Sequence, residues 1–169
     1  DEWYIATAYV QHGPLVSATR STGFTNHILY TLFAWVGTKA CGFNEFGLRL
    51  PAIFFGALSA PVAYWAVRWV LHRWVALAAG LILALSAFSI HYSQEARGYS
   101  ATLCGVAALL GLYWELYERP SRKIFKWIVV VSAGLIYLRL FNVLIVTGFL
   151  AAGLIDGLLR RDRPFVRRI

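Results

Sequence analysis

Charged residues are scarce in this sequence. They make up 14% of the 169 residues, against roughly 25% in an ordinary soluble domain. Hydrophobic residues account for 59% of the chain, and the mean hydropathy is +0.60. This composition excludes an ordinary soluble globular domain and indicates an integral membrane protein.

Cysteine is also rare, with Cys41 and Cys104 as its two occurrences. They have no metal-ligand spacing and no companion histidines nearby, which argues against a zinc site and a redox motif. We interpret them as small apolar packing residues. Gly/Ser-rich linkers, low-complexity tracts and convincing internal repeats are missing as well.

Acidic residues number only 8 against 16 lysines and arginines, so the formal net charge is +8. In a soluble protein this excess would suggest nucleic acid. Here most basic residues flank apolar runs, where they snorkel or fix orientation, so we expect no nucleic-acid partner. The chain opens on Asp1-Glu2 without an initiator methionine or a signal peptide, and we interpret this start as a cut.

Apolar runs of helical length fill the chain after residue 50. The first fifty residues mix polar and aromatic side chains, and their longest apolar run, about His27 to Val36, predicts an interfacial or re-entrant helix, with a shorter amphipathic helix near Trp3 to Val10. We expect an all-α, polytopic helical membrane protein with about five transmembrane helices. Residues 1–50 would form a long first extracytoplasmic loop with interfacial helices, and residues 51–169 the transmembrane domain. The predicted spans are 51–70, 74–90, 99–117, 124–140 and 141–159.

Basic residues are concentrated on one side of this topology. Eleven of the 16 lysines and arginines lie in the connections after the first and third spans and in the tail, and the positive-inside rule makes that side cytoplasmic. The opposite side holds the first fifty residues, the segment SIHYSQEARGYS at 89–100, and a tight turn at 139–142. The eleven residues are Arg68, Arg73, Arg119, Arg122, Lys123, Lys126, Arg160, Arg161, Arg163, Arg167 and Arg168.

The segment 89–100 contains the densest polar cluster of the chain. On a continuous helix, His91 and Glu95 are four residues apart, and Tyr92, Glu95 and Tyr99 share a face with Arg97 beside it. A loop between membrane helices must be polar in any case, and an Arg beside a Glu can be a surface pair worth under about 1 kcal/mol. A second polar set on the same side favours a functional site, and it consists of Asp1, Glu2, Arg20, Asn26, His27, Glu45 and Arg49. Carboxylates beside arginines at a membrane surface suit a base acting near a phosphorylated lipid.

Four stretches carry a family resemblance in their order and spacing: DEWY at 1–4, TNHILYTLFAWVG at 25–37, FNEFGLRLPAIFFGAL at 43–58 and SIHYSQEARGYSATL at 89–103. They resemble the N-terminal part of the polyprenyl-phosphate-dependent glycosyltransferases of the C-type membrane fold. This family groups protein mannosyltransferases, aminoarabinose lipid A transferases and RgtA/B/C/D-like bacterial enzymes. The resemblance implies an integral protein of the bacterial inner membrane that transfers a sugar from a polyprenyl-phosphate donor, with inversion, at the extracytoplasmic face. Its acceptor would be a lipid, a glycan or a protein.

The resemblance also implies roles for individual residues. Asp1, followed by Glu2, matches the family's catalytic acidic position, which acts as the base or positions the acceptor. The Arg97 segment would border the donor phosphate, with His91, Tyr92, Glu95 and Tyr99 lining the same cavity. Tyr92 and Tyr99 are equally well interpreted as interfacial belt aromatics. Arg49 of LRLP is either a phosphate ligand or a structural residue at a helix start.

Two departures from the family leave alternatives open. Relatives are longer than this chain, so it is either part of an enzyme or a non-catalytic glycosyltransferase-like subunit of a larger membrane complex. The sequences of relatives read approximately YTHYF where this chain has YLRLFN at 137–142, so Arg139 stands where a histidine is expected. Arg139 would either pair with phosphate, cap a helix or serve in packing.

A transporter or flippase is the last of the alternative functions, because the ionisable residues lie near the ends of the predicted spans. No cluster of residues has the spacing of dedicated metal ligands, so the sequence leaves open whether the protein uses a divalent cation as a cofactor.

Overall fold

The structure is a computed structural model that describes residue 7, residues 10–14 and residues 28–160. Across these residues the regular structure is helical, without a strand, which confirms the all-α prediction. A short 3-10 helix at Val10–His12 precedes seven longer helices. These are α1 (Ile28–Cys41), α2 (Glu45–Val67), α3 (Arg73–Leu85), α4 (Ala87–Gln94), α5 (Tyr99–Glu118), α6 (Arg122–Leu138) and α7 (Asn142–Arg160).

The first predicted span begins earlier than its apolar run indicated, at Glu45 instead of residue 51. Asn44 is the reason, because its side chain accepts a hydrogen bond from the Gly47 amide at 2.8 Å and so caps α2. Pro51 and Pro61 both lie inside the helix. The LRLP motif therefore lies within α2 and does not open it.

The second predicted span, 74–90, is not one straight helix. Helix α3 ends at Leu85, Ser86 has an extended backbone with φ −65° and ψ 126°, and α4 follows at a bend of 52°. The apolar pattern continues across the bend, so hydropathy alone did not reveal it. A bent pair of this kind is either a broken span or a re-entrant loop.

The length of the helices limits which of them cross a bilayer. Among the described residues, α2 and α5 are long and apolar enough to span, and the bent pair α3–α4 makes a third candidate. The expected count of about five transmembrane helices stays a prediction. Helix α1 has 14 residues, or roughly 21 Å at 1.5 Å per residue, which is too short for a ~30 Å hydrocarbon layer. The helix predicted near Trp3 falls largely outside the described residues.

Helices α1 and α2 form a hairpin whose backbones touch. Gly42 follows the last residue of α1 with φ +86°, a left-handed conformation that glycine adopts at helix ends. A side chain on Gly37 would collide with the carbonyl group of Gly47, and Pro51 has no amide to bond that carbonyl within the helix. The Tyr30 hydroxyl donates to the Leu48 carbonyl at 2.9 Å from a fully buried position. Small residues and one buried phenol thus fix α1 against the start of α2.

Two aromatic contacts show which loops lie at the same end of the molecule. The Arg119 guanidinium lies 5.8 Å from the Trp69 ring centre, which joins the α5–α6 turn to the α2–α3 turn. The Arg139 guanidinium lies 4.5 Å from the Tyr99 ring centre, which joins the α6–α7 turn to the start of α5. These groupings agree with the two sides expected from the sequence. We call the end that holds Tyr99 and Arg139 the polar end and the other the basic end.

An apolar core underlies the polar end. It combines residues from the 3-10 helix, α1, α2, the α4–α5 junction, α5 and α6, namely Val10, Tyr30, Ala34, Leu48, Ala52, Ala96, Ala101 and Leu138. Because the first turns of α2 pack here together with the start of α5, the α1–α2 turn lies at the polar end as well. A second core toward the basic end contains Leu109, Ile128, Leu135 and Val146.

The Asn44 side chain makes a hydrogen bond to each helix of the hairpin, and this predicts a contribution to stability. It accepts from the Gly47 amide of α2 and donates to the Cys41 carbonyl of α1 at 2.9 Å. Asn44→Ala removes both bonds, and we expect it to cost about 1 kcal/mol, seen as a fall of roughly 2–4 °C in the Tm of the purified protein. Asn44→Asp keeps the acceptor for Gly47 and should lose less. An unchanged Tm for Asn44→Ala would refute this role.

Candidate functional site

The candidate site is built around a helix break between α4 and α5. The sequence placed segment 89–100 between two predicted spans, and its polar side chains would share one face only on a continuous helix; the structure interrupts the helix within this segment. Glu95 has an extended backbone with φ −84° and ψ 133°, and the Arg97 amide donates to the Glu95 carbonyl at 2.7 Å. Gly98 then starts α5 as its N-cap residue. The polar cluster therefore lies on two helix ends and the turn that joins them.

Helix α4 is held against the middle of α2 by a close approach. A Cβ atom on Gly56 would lie 2.5 Å from the Cβ of Ser93, so only glycine allows α4 to lie this close. The Ser93 hydroxyl is itself satisfied by the Ile90 carbonyl at 2.7 Å. The contact places the last turn of α4, and with it His91 and Glu95, beside the transmembrane helix α2.

His91 and Glu95 form the ion-pair geometry expected from their spacing. His91 Nε2 lies 3.3 Å from Glu95 Oε1, with the His91 side chain 67% and the Glu95 side chain 30% exposed. The other carboxylate oxygen, Glu95 Oε2, is buried and has no hydrogen-bond partner among the described residues. One oxygen is thus held by His91, while the other is a buried acceptor that remains available.

The two tyrosines meet across the break. Tyr92 and Tyr99 have ring centres 4.6 Å apart, and Phe88 extends the row at 4.5 Å from Tyr92. The expected neighbourhood of Tyr92 and Tyr99 is confirmed, although the turn creates it and not a shared helix face. His91 joins the row at 5.2 Å from Tyr92.

Arg139 reaches this row from the α6–α7 turn. Its guanidinium carbon lies over the Tyr99 ring, 4.5 Å from the ring centre, which is a cation–π contact. The turn is fixed by Asn142, which is 3% exposed. Asn142 Nδ2 donates to the Leu135 carbonyl at 2.8 Å and contacts Thr102 Oγ1 at 3.3 Å. Thr102 Oγ1 in turn donates to the Gly98 carbonyl at 2.9 Å.

This polar network connects the α6–α7 turn with the first turn of α5. Thr102 and Asn142 were not among the site residues predicted from the sequence. A buried asparagine in an apolar stretch was the available signal, because such a side chain needs hydrogen-bond partners inside the protein. Its partner Thr102, 40 residues away in the chain, could not be inferred from one sequence.

The two predicted arginines lie in different surroundings. Arg97 is half-buried within the helix break, next to Glu95. Arg49 lies 3.9 Å from Glu45 across one turn of α2, which is the geometry of the helix-start alternative. Since Glu45 is 79% exposed, this surface pair contributes little stability. A phosphate role for either arginine stays a prediction.

The acidic pair of the first loop, Asp1 and Glu2, lies outside the described residues, as do Arg20, Asn26 and His27. The described part of the loop does reach the site. Val10 is 2% exposed and shares the polar-end core with Ala96 of the helix break. Val10 therefore packs beneath the segment that contains Glu95 and Arg97.

The described residues offer few donors for a metal ion. Within the described ranges, no three His, Cys, Asp or Glu side chains are grouped closely enough to hold a metal ion. His91 and Glu95 supply only two donors. A divalent cation remains an untested expectation.

Comparison with known proteins gives one match. The family model for dolichyl-phosphate-mannose-protein mannosyltransferases matches residues 26–166, which is most of the chain. No curated protein and no solved structure matches this chain significantly. The match confirms the resemblance found in the sequence motifs, and the apolar helices agree with an integral membrane protein. The chain therefore belongs to the dolichyl-phosphate-mannose-protein mannosyltransferase family, a family of membrane glycosyltransferases with polyprenyl-phosphate sugar donors.

Proposed function

We propose that this protein transfers a sugar from a polyprenyl-phosphate donor to an acceptor at the extracytoplasmic face of a bacterial inner membrane, with inversion at the anomeric carbon. The acceptor is a lipid, a glycan or a protein. The observation that carries the proposal is a row of contacts at the polar end of a chain that belongs to this family: Glu95 contacts His91, and the row continues through Tyr92 and Tyr99 to Arg139.

The distribution of charge supports the choice of membrane face. The turns at the basic end contain Arg68, Arg73, Arg119, Arg122, Lys123 and Lys126. Positively charged turns of this kind stay in the cytoplasm. The polar end then faces the other leaflet, where its tyrosines and arginines lie at the depth of lipid phosphates.

In the proposed reaction, Asp1 accepts the proton of the acceptor hydroxyl, with Glu2 beside it. The acceptor oxygen attacks the anomeric carbon from the side opposite the lipid phosphate, so the new bond forms as the bond to phosphate breaks. Cationic groups at the helix break stabilise the negative charge that develops on the leaving phosphate. The free Glu95 oxygen accepts a hydrogen bond from a sugar hydroxyl, and Tyr92 and Tyr99 line the path of the donor.

A substitution of the proposed base tests the reaction. Asp1→Asn in the full-length protein should reduce transfer of labelled mannose from undecaprenyl-phosphate mannose to acceptors in the host membranes by at least 10²-fold, because removal of a general base typically costs 10²–10⁴-fold. Membrane insertion and expression should not change. The assay compares isolated membranes that contain equal amounts of each variant.

Glu118→Gln is the control, since it removes an exposed carboxylate at the basic end. Transfer retained by Asp1→Asn would contradict the assignment of the base. If the wild-type protein shows no transfer with any polyprenyl-phosphate sugar and copurifies with unrelated membrane subunits, the non-catalytic subunit becomes the better explanation.

Glu95 generates a prediction about donor binding. Glu95→Gln should raise KM for the donor about 10-fold or more, because a hydrogen bond to a charged group contributes about 1.5–3 kcal/mol. The measurement is the dependence of transfer rate on donor concentration, with Glu118→Gln again as the matched control. An unchanged KM would remove Glu95 from the donor site.

The native cysteines test the membrane face without a substitution at the site. Cys41 is exposed at the polar-end turn and Cys104 is buried in α5. A membrane-impermeant maleimide should therefore label wild-type protein in intact spheroplasts, and Cys41→Ser should abolish the label. In the Cys41→Ser background, Pro120→Cys at the basic end should react only after permeabilisation. The reverse pattern would place the polar end in the cytoplasm.

A further inference from the structure

We propose that the basic end binds phospholipids with an anionic head group, through the α2–α3 and α5–α6 turns. The surface combines exposed cations with large apolar side chains beside them. The proposed transfer reaction uses none of these residues, so the inference is independent of it. The exposed cations are Arg68, Arg73, Arg119, Arg122, Lys123 and Lys126.

Packing of α2 against α5 joins the two turns into one surface. The ring of Trp65 in α2 lies against Gly111 of α5. Further along both helices, the Arg119 guanidinium lies 5.8 Å from the Trp69 ring centre. The two helices therefore run in the same direction and end side by side. Cations that are about 50 residues apart in the chain thus share one end of the molecule.

The positive charge of this surface is not neutralised by neighbouring carboxylates. Glu115 and Glu118 lie in the last turn of α5, before the α5–α6 turn. Neither of the two ion pairs between described side chains involves these carboxylates or any of the six cations. An excess of positive charge therefore remains, and its complement is an anionic group from outside the bundle.

The stability of the helices does not explain where these cations lie. Arg73 is the first residue of α3, and Arg122 and Lys123 are the first two residues of α6. The start of a helix carries the positive end of its dipole, where acidic residues are favourable and cations are not. Neither first turn contains an acidic residue. The positive-inside rule accounts for cations on this side of the membrane, but not for their position at two helix starts.

Apolar side chains beside the cations favour a lipid over other anions. Trp74 in α3 is 62% exposed, and Phe125 and Trp127 in α6 are 58% and 53% exposed. The Arg73 guanidinium lies 5.3 Å from the Trp74 ring centre, so a cation and an exposed indole lie together. A phospholipid presents its phosphate directly beside apolar chains, whereas free phosphate, nucleic acid and acidic proteins do not. Basic clusters at the ends of membrane helices attract such head groups.

Competition between two phospholipids tests the proposal. The purified full-length protein is titrated with phosphatidylglycerol and with phosphatidylcholine of the same acyl chains, and native mass spectrometry counts the bound lipids. The wild-type protein should prefer phosphatidylglycerol, and the preference should fall as the concentration of ammonium acetate rises. Arg119→Gln should weaken phosphatidylglycerol about 5-fold, which corresponds to about 1 kcal/mol for one cation near the surface. The triple variant Arg73→Gln, Arg119→Gln, Arg122→Gln should lose the preference, and none of these changes should alter the affinity for phosphatidylcholine.

Lys39→Gln is the matched control. The Lys39 ammonium lies 5.9 Å from the Trp35 ring centre in the last turn of α1, at the polar end. This variant removes the same charge from a cation–π contact on the other side, and it should bind phosphatidylglycerol like the wild type. Arg119→Lys keeps the charge and should lose less than Arg119→Gln. If Arg119→Gln does not fold, the double variant Arg73→Gln, Lys123→Gln takes its place.

Four results would overturn the inference. The first is equal binding of both lipids by the wild-type protein, and the second is an unchanged preference in the triple variant. The third is an equal loss in Lys39→Gln and Arg119→Gln, because net charge alone would then set the affinity. The fourth is displacement of the lipid by millimolar inorganic phosphate or by an RNA oligonucleotide, which would assign the surface to a free anion or to nucleic acid.

Discussion

Backbone hydrogen bonding in the absence of water is the constraint on which this structure depends. Within the hydrocarbon layer each amide and carbonyl group needs a partner in the protein, so a chain leaves the helical conformation only where protein or water supplies one. The chain does so at Glu95–Gly98, where the Gly98 carbonyl accepts from Thr102 Oγ1 and the Glu95 carbonyl from the Arg97 amide. In the proposed function this break faces water at the membrane surface, where the charged head group of the donor binds.

Small residues make the close packing around this break feasible. Helices in lipid gain little from burying apolar surface, so they associate through close backbone approach and van der Waals contact. Gly47 against Gly37, Gly56 against Ser93 and Gly111 under the ring of Trp65 are such contacts. They bring α1, α4 and α5 onto the central helix α2. The polar residues at the end of this bundle are therefore positioned by close contacts of the helices along α2.

The sequence predicted those elements whose ends are marked by a change in polarity. Helix α5 was placed almost correctly because a polar segment precedes it and Arg119 follows it. The bend at Ser86 was missed because the flanking residues are all apolar, and the early start of α2 was missed because Asn44 acts through a side-chain cap. For the site, the sequence predicted which polar and aromatic residues lie on the same side of the membrane. Its internal geometry was not, because the contacts of Arg139 with Tyr99 and of Asn142 with Thr102 join residues far apart in the chain.

The position of the first loop links the two halves of the proposed site. The proposed base belongs to that loop, whereas the groups proposed to bind the donor belong to the helix break and the α6–α7 turn. What joins them within the described residues is apolar: Val10 packs into the same core as Ala96 and Leu138. Because in-line transfer depends on the distance between the acceptor oxygen and the anomeric carbon, a displacement of about 1 Å can cost 10²-fold in rate. In the proposed mechanism, the alanines and leucines beneath the break would help to fix that distance without touching the substrate.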